Sequence, residues 1–458
     1  MNLGKALLGA VAVVLAFAPV SARERAWTSP QALSSGLPSE TPTLAFDARG
    51  WAFATWADRS GGRRSASRAP SASSFGPQRT APDTGEEVLE GPPPAPVVDA
   101  KGGVIAVQER RLRNACGVAI KFGLTPRFGN VNGTFAPAQG AWTIYSHTLP
   151  PAVTLAGNAR GLAVAAWLEL HRNAQGHCVR PVSADVRVAV RRPGMSFGPP
   201  VTLAHRVSTQ SIASAVDAHG DIVVVWRTGN AIVVRVRSPG GAWGRVRRVP
   251  AAQVASLAVS AAADGTIYLL WTGRPAHTSY ETRDVSAAVL PAASARIATT
   301  TLDHGIWPND LFDLSAHFEV RLGLLRHGAI AAWTSWDGAH MRVQTATTGQ
   351  LGFRSASQAT PTGQDWMLGD LAVGPTGQPA LALISGAVGL PAGPFVALRS
   401  AAGAFSAPEA IGTGTARVTG EALAFDPRTR RPTLVWIEVQ PGAQYTATAQ
   451  AATRSPAP

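Results

Sequence analysis

The sequence predicts an all-β protein, a β-propeller of about eight four-stranded blades, with seven blades as the alternative. Three observations lead to this prediction. One sequence pattern recurs along nearly the whole chain of 458 residues. Its central strands are apolar on both faces. A part of the pattern that is missing from the last copy occurs instead near the N-terminus, at 26–33.

Each copy of the pattern reads as an apolar strand, an Asp or Asn, a Gly, a second apolar strand and a Trp, and the clearest is SAVDAHGDIVVVW at 214–226. The Trp-equivalent positions are 56, 108, 167, 226, 271, 333, 383 and 436, at spacings of 45 to 62 residues. An Asp accepts hydrogen bonds from turn N–H groups and a Gly adopts positive φ, so the segment between the two strands is a hairpin turn. The recurring acids, Asp47, Asp99, Asp217 and Asp426, are therefore predicted to build turns, because a catalytic group is needed only once.

The strand at 222–226 is apolar throughout, which indicates coverage on both faces by neighbouring blades. A further strand then follows an aromatic-Pro motif such as SFGPPVTL at 196–203, a motif that is missing from the fifth unit. Each unit thus supplies four antiparallel strands, as a propeller blade requires.

The segment AWTSPQAL at 26–33 matches the aromatic-Pro motif but precedes any core, whereas the last copy ends at 445–452 without that motif. We therefore expect the N-terminal segment to supply the outermost strand of the last blade. Such a join closes the ring and removes exposed sheet edges.

Residues 1–22 are typical of a secretory signal peptide, with Lys5, an apolar stretch at 6–18 and small residues at 20–22. The prediction is a secreted or extracytoplasmic protein with one propeller domain at 23–458 and no transmembrane segment after signal removal. An uncleaved anchor is the alternative. Cys116 and Cys178 fall in equivalent loops of consecutive units, so they are predicted to form a disulfide, with two free buried thiols as the alternative.

The net charge is +13, almost all of it from Arg, since Lys occurs only at positions 5, 101 and 121. An acidic partner is one interpretation, and Arg-rich codon usage with ordinary solubility charge is the other. No basic motif interleaved with aromatic residues appears, so nucleic acid is not an expected partner. We expect a monomer.

The repeat resembles secreted bacterial sialidase-like β-propeller repeat proteins over nearly the whole chain. The sialidase Asp-box has the form Ser-x-Asp-x-Gly-x-Thr-Trp, and no copy here matches it. A retaining sialidase also needs a Tyr nucleophile with a Glu partner, and Tyr268 falls in a core strand where packing is its expected role. No catalytic residue, metal site or cofactor is therefore assigned.

The longest departures from the repeat lie near 80–96, 109–133, 168–182 and 272–313. Function concentrates on such loops, so we expect one elaborated ligand face around units two, three and five. Its candidate residues are Arg111, His171, His177, His304, Trp307 and Asp310. The first functional hypothesis is an extracellular binding module for a carbohydrate or protein ligand. A sialidase-like glycan-processing hydrolase or lyase is the alternative, and an envelope scaffold protein is the third.

Overall fold

The chain folds into eight four-stranded antiparallel sheets arranged as an eight-bladed β-propeller. The computed structural model describes residues 27–34, 38, 41–57, 63–80, 94–113, 119–136, 142–145, 152–171, 183–209, 211–273, 282–292, 296–306, 320–350, 352–386, 392–412, 417–439 and 447–455. At strand positions 63, 108–113, 119–122, 143–145, 170, 171, 282, 306 and 392 it describes the backbone alone. Among these residues no helix could span a membrane.

The strands follow one another outward through each blade, so that consecutive strands are neighbours in the sheet. Blade 1 contains β2 (Thr43–Phe46), β3 (Ala52–Ala57), β4 (Arg63–Arg68) and β5 (Arg79–Thr80); blade 2 contains β6 (Val97–Val98), β7 (Gly103–Arg113), β8 (Ala119–Asn130) and β9 (Trp142–Tyr145). Blade 3 contains β10 (Val153–Gly157), β11 (Ala163–His171), β12 (Ser183–Arg191) and β13 (Val201–Val207); blade 4 contains β14 (Ile212–Val216), β15 (Ile222–Thr228), β16 (Ala231–Arg237) and β17 (Arg247–Pro250).

The second half of the ring repeats this order. Blade 5 contains β18 (Val254–Ala261), β19 (Ile267–Gly273), β20 (Thr282–Leu290) and β21 (Ala298–Ile306); blade 6 contains β22 (Arg321–Leu324), β23 (Ala329–Trp336), β24 (Met341–Thr347) and β25 (Ser357–Gln358). Blade 7 contains β26 (Trp366–Val373), β27 (Pro379–Ser385), β28 (Ala392–Leu398) and β29 (Glu409–Ala410); blade 8 contains β30 (Arg417–Phe425), β31 (Pro432–Val439), β32 (Ala447–Thr453) and the N-terminal β1 (Gln31–Ala32).

Strand β1 closes the ring, as predicted from the displaced aromatic-Pro motif. Gln31 pairs with Ala451 and Ala32 pairs with Gln450 in antiparallel register. The backbone N–H of Leu33 donates to the carbonyl of Ala449 at 2.7 Å and continues this edge. The closure completes a ring of eight blades rather than seven.

The turns between first and second strands are built by the recurring acids. Oδ1 of Asp217 accepts hydrogen bonds from the N–H groups of Gly220 (2.6 Å) and Asp221 (2.8 Å), and Gly220 has a φ of 103°. Equivalent bonds form at Asp47, Asp99, Asn158 and Asp426. The prediction that these acids build turns is confirmed.

The cores lie between blades, which explains why the central strands are apolar on both faces. Between blades 4 and 5, for example, Val223, Val225 and Ile232 form one cluster with Leu269 and Trp271. The repeated tryptophans are all buried, at positions 56, 167, 226, 271, 333 and 436. Each blade therefore contributes to two cores, one with each neighbour.

Hydrogen bonds also link the turns of successive blades. Blades 1 to 5 are joined by Arg49 Nη2 to Lys101 O (2.8 Å), Ala100 N to Ala159 O (2.8 Å), Asn158 Nδ2 to Asp217 O (2.9 Å), and His219 Nδ1 with Ala263 O. We call the face with these turns and the third-to-fourth-strand connections the turn face. The opposite loop face carries the second-to-third-strand loops and the connections between blades.

Two of the segments predicted as insertions consist in part of regular blade strands. Strands β7 and β8, of 11 and 12 residues, extend through much of 109–133. Strands β20 and β21 occupy much of 272–313 and are the third and fourth strands of blade 5. Strand β21 was not predicted, because blade 5 lacks the aromatic motif that marks the fourth strand elsewhere.

Candidate functional site

The structure places two of the predicted ligand-face residues at the loop-face ends of their strands. Arg111 lies in β7 opposite Phe122, and His171 is the last residue of β11, opposite Ser183. Cys116, Cys178, His177, Trp307 and Asp310 lie outside the described residues. The disulfide and the elaborated loop face therefore stay predictions.

The candidate His304 lies within β21, the fourth strand of blade 5, and not in a loop. Its Nδ1 is 2.9 Å from Oδ1 of Asp284, and 76% of its side chain is exposed. His205 and Asp185 form the same kind of pair in blade 3, at 3.0 Å and with the same separation of 20 residues. The described residues include no group of three or more side chains that could hold a metal ion.

The central channel opens on the turn face as a cavity of about 430 Å³. Its wall is formed by the ends of the first strands of blades 2 to 6 and includes Val98, Leu155, Val216 and Leu324. The described lining residues include no charged side chain. A convergence of Arg, carboxylate and Tyr at this mouth would have favoured glycan hydrolysis, and the described lining does not provide it.

Charged groups meet instead between the first strands of blades 6, 7 and 8. We call Arg321, Asp370 and Glu421 the acidic cluster. Nε of Arg321 lies 3.5 Å from Oδ1 of Asp370, whose Oδ2 accepts a hydrogen bond of 2.8 Å from the N–H of Leu423. Glu421 is 2% exposed, and in the described part of the chain neither of its carboxyl oxygens has a hydrogen-bond partner.

Burial raises the pKa of Glu421 well above its usual range, and the negative charge of Asp370 adds to the shift. A general acid must reach the proton acceptor on its substrate, and this carboxyl is closed off between blades 7 and 8. Tyr268 is also unsuited to act as a nucleophile, because it is buried against the ring edge of Phe353 and burial raises its pKa. Both groups belong to the interior of the ring.

An open cavity of about 430 Å³ lies on the turn face between the outer parts of blades 3 and 4. We call it the blade 3–4 groove, and it is lined by Val190, Arg192, Met195, Ser196, Gly198, Pro199, Val201, Arg237 and Trp243. Trp243 is half-buried and packs against the core between the two blades while also lining the groove. Met195 and Val201 are 64% and 49% exposed, so accessible apolar surface borders the indole.

The groove carries two guanidinium groups and, among its described lining residues, no carboxylate. Nε of Arg237 donates to the carbonyl of Gly241 at 2.9 Å, which fixes the guanidinium beside Trp243. Arg192 is exposed at the end of β12. The groove therefore combines an aromatic surface with fixed positive charge.

Arg235 connects the two walls of the groove. Its guanidinium donates to the carbonyls of Leu203 in blade 3 and of Trp243 and Gly244 in blade 4, at 3.2 to 3.3 Å. These bonds fix the backbone that carries the indole relative to the neighbouring blade.

Blade 7 contains the same turn without the groove chemistry. Nε of Arg399 donates to the carbonyl of Gly403 at 2.8 Å, and Phe405 takes the place of Trp243. The Arg–turn–aromatic unit is thus part of the blade architecture, and only its position beside Arg192 and Met195 makes it a wall of the groove. Sequence reasoning identified the aromatic motif of blade 4 as a strand signal and missed this second role.

The fold defines the class of protein as an eight-bladed β-propeller. No protein-family model and no curated protein sequence matches the chain. Similar solved structures include a lectin from Burkholderia pseudomallei, with 14% identity and a TM-score of 0.47 over 82% of this chain and 100% of that chain. An ulvan lyase from a new polysaccharide lyase family has 8% identity and a TM-score of 0.44 over 92% of this chain and 94% of its own.

A prolyl endopeptidase has 12% identity and a TM-score of 0.47 over 87% of this chain, which spans only 54% of that enzyme. At these identities the similarities concern the fold alone. The expected propeller architecture is confirmed by the eight four-stranded sheets of this chain, and no residue role is transferred from these structures.

Proposed function

We propose that this protein is a ligand-binding propeller that holds a carbohydrate in the blade 3–4 groove. The observation that supports this most is the half-buried indole of Trp243 in an open cavity beside exposed apolar and guanidinium groups. A sugar ring offers C–H faces that pack on an indole and hydroxyl groups that bond to polar neighbours, so both parts of the groove find a counterpart. The predicted signal peptide would bring the protein to glycans outside the cytoplasm.

The dimensions of the groove favour a small ligand unit over a folded protein partner. Small-molecule sites measure about 300–1,000 Å³, and the cavity of about 430 Å³ falls in that range. A stable protein interface buries about 800 Å² on each partner. The exposed large apolar side chains that line the groove, Met195 and Val201, form too small a patch for that.

Binding in this groove is favoured over hydrolysis there, because the described lining carries no carboxylate. Two carboxylates of a glycosidase must both face the scissile bond. Glu421 is buried in the acidic cluster, and the described lining of the blade 3–4 groove has no carboxylate at all. The described lining therefore supplies surface for a sugar but no acid to cleave it.

The test is a titration of the full chain with a panel of defined oligosaccharides by isothermal calorimetry. Trp243→Ala should weaken binding at least about tenfold, since a stacked aromatic anchor carries much of the energy of a small site. Phe405→Ala is the matched control, because it removes the equivalent aromatic side chain of blade 7 and should leave the affinity unchanged.

Three outcomes contradict the proposal. The first is that no member of the panel binds. The second is that Trp243→Ala leaves the affinity unaltered. The third is that a protein or peptide, and no glycan, binds the chain and loses its affinity in Trp243→Ala. Product analysis of the same mixtures distinguishes binding from cleavage, and hydrolysis or elimination products would point to the enzyme alternative.

A further inference from the structure

We infer that the ligand of the blade 3–4 groove is an acidic carbohydrate, whose carboxylate or sulfate group binds to Arg192 and Arg237. This inference rests on the proposed function, and it adds the chemical class of the ligand. It is based on the charges of the groove rather than on its aromatic surface.

Arg237 is oriented before any ligand arrives. Its Nε is engaged by the carbonyl of Gly241, while its two Nη groups have no protein partner among the described residues. A planar guanidinium presents its N–H donors in a rigid fork that matches the oxygens of a carboxylate or sulfate. Because the backbone bond already fixes that fork, less side-chain freedom is lost when an anion binds.

Several described arginines elsewhere in the fold have clear structural roles. Arg187 lies 3.4 Å from the carboxylate of Glu169, and Arg454 pairs with Glu409. Arg191, next to Arg192 in the chain, donates to the carbonyl of Gly161 at 2.7 Å and lies over the ring of Phe128. These guanidinium groups are compensated or enclosed by the protein itself.

Arg192 and Arg237 differ because no carboxylate neutralises them within the described lining of the groove. Two uncompensated cations in a concave site create a positive potential that attracts anions. The net charge of +13 over the whole chain acts in the same direction. A neutral sugar would use the indole of Trp243 and leave both charges unmatched.

The experiment compares three probes of equal length on the full chain: an oligogalacturonate, its methyl ester, and a sulfated oligosaccharide. The acidic probes should bind at least about tenfold more tightly than the methyl ester, because charge-assisted hydrogen bonds are stronger than those between neutral groups. Their affinity should fall as salt rises, because exposed charges are screened. The two acidic probes together show whether carboxylate or sulfate fits better.

Arg192→Ala and Arg237→Ala should each reduce affinity for the acidic probes about tenfold and leave that for the methyl ester nearly unchanged. Arg399→Ala is the matched control for Arg237→Ala: it loses the same Nε bond to a turn carbonyl, in blade 7. Arg192 is exposed at a strand end, so its substitution keeps the test decisive if Arg237→Ala folds poorly.

Equal affinity for the methyl ester and the acid would overturn this inference and leave the proposed function standing. Binding of none of the three, nor of any other glycan, would overturn the proposed function as well. Equal binding of a poly-glutamate peptide would also contradict the inference, because it would show attraction of any polyanion rather than recognition of a sugar acid.

Discussion

The acidic cluster and the blade 3–4 groove differ in how their charged side chains are surrounded. In the cluster, Arg321 and Asp370 contact each other, and Glu421 is closed off between blades 7 and 8. In the groove, Arg192 and Arg237 border accessible indole and methionine surface and have no acidic neighbour in the described lining. Glu421 shows that a raised pKa in this fold can follow from packing alone, so the proposed ligand site rests instead on accessible charge without an acidic neighbour in the described lining.

The largest effect is expected from Gly369→Ala, which tests how tightly the acidic cluster is packed. A Cβ built on Gly369 would lie 2.0 Å from Oε2 of Glu421 and 2.9 Å from its Cδ. Overpacking of this kind typically costs about 1–3 kcal/mol, and we expect the upper end in denaturant unfolding. Ligand binding to the folded protein should not change.

The control for this variant is Gly76→Ala, where the nearest atom, the carbonyl oxygen of Ser67, is at an ordinary 3.4 Å. Adding Glu421→Ala to Gly369→Ala should recover part of the loss, since it removes the side chain that the new methyl group meets. Strict additivity of the two substitutions would show that these groups do not touch.

The second test is the pH dependence of stability. Because burial raises the folded-state pKa of Glu421 well above its usual range, the native protein keeps a proton that the unfolded chain releases near pH 4.3. Stability should therefore fall as pH rises from that value towards the raised pKa, with a contribution of up to about 1.4 kcal/mol per pH unit. Unfolding free energies measured from pH 5 to 8 would show it.

Glu421→Gln should remove this contribution, since the amide stays neutral at every pH. The difference between the two pH profiles therefore reports the ionisation of Glu421 together with its electrostatic coupling to Asp370. Identical profiles for the two proteins would mean that Glu421 is ionised in the native state.

The third test concerns Arg235, which we expect to position Trp243 without touching the ligand. Arg235→Ala should lower the affinity for all three probes by a similar factor of about three to five, as loss of a net hydrogen bond or two would do. The ratio of acidic to neutral affinity should stay constant, whereas Arg237→Ala should change that ratio. A changed ratio in Arg235→Ala would place its guanidinium in contact with the anion.

The smallest expected effect is that of Met195→Ala. Its side chain is 64% exposed, so the free energy of unfolding should change by less than about 0.5 kcal/mol. Loss of its contact area should weaken glycan binding about twofold to threefold in the same calorimetric titration. An affinity unchanged within error would restrict the ligand to the Trp243 side of the groove.

Local patterns in the sequence were enough to predict the ring. Three features were sufficient: the Asp-to-Gly turn at 217–220 predicts a hairpin, the strand at 222–226, apolar on both faces, predicts a core strand, and the displaced motif at 26–33 predicts the ring closure. The hairpin and the core strand depend on residues that are near in sequence. The closure depends on the aromatic-Pro motif, which is missing from the last copy of the repeat and present at the N-terminus. Fold and closure follow from them directly.

The groove could not be predicted in the same way, because it is formed by residues of two blades more than 40 positions apart, such as Arg192 and Trp243. Neither residue departs from its own repeat. The acidic cluster did leave a signal: Gly369-Asp370 and Gly420-Glu421 place an acid after a Gly in the first strands of two consecutive blades. An acid within a strand that is otherwise apolar is a sign of burial or of a partner.

A crystal structure of the full chain with a bound oligogalacturonate would show whether the groove accepts an acidic sugar. We expect one sugar ring packed on the indole of Trp243, with its carboxylate within about 3 Å of a guanidinium nitrogen of Arg192 or Arg237. An oligosaccharide seated instead at the loop-face ends of blades 2, 3 and 5, or in the channel mouth, would contradict it.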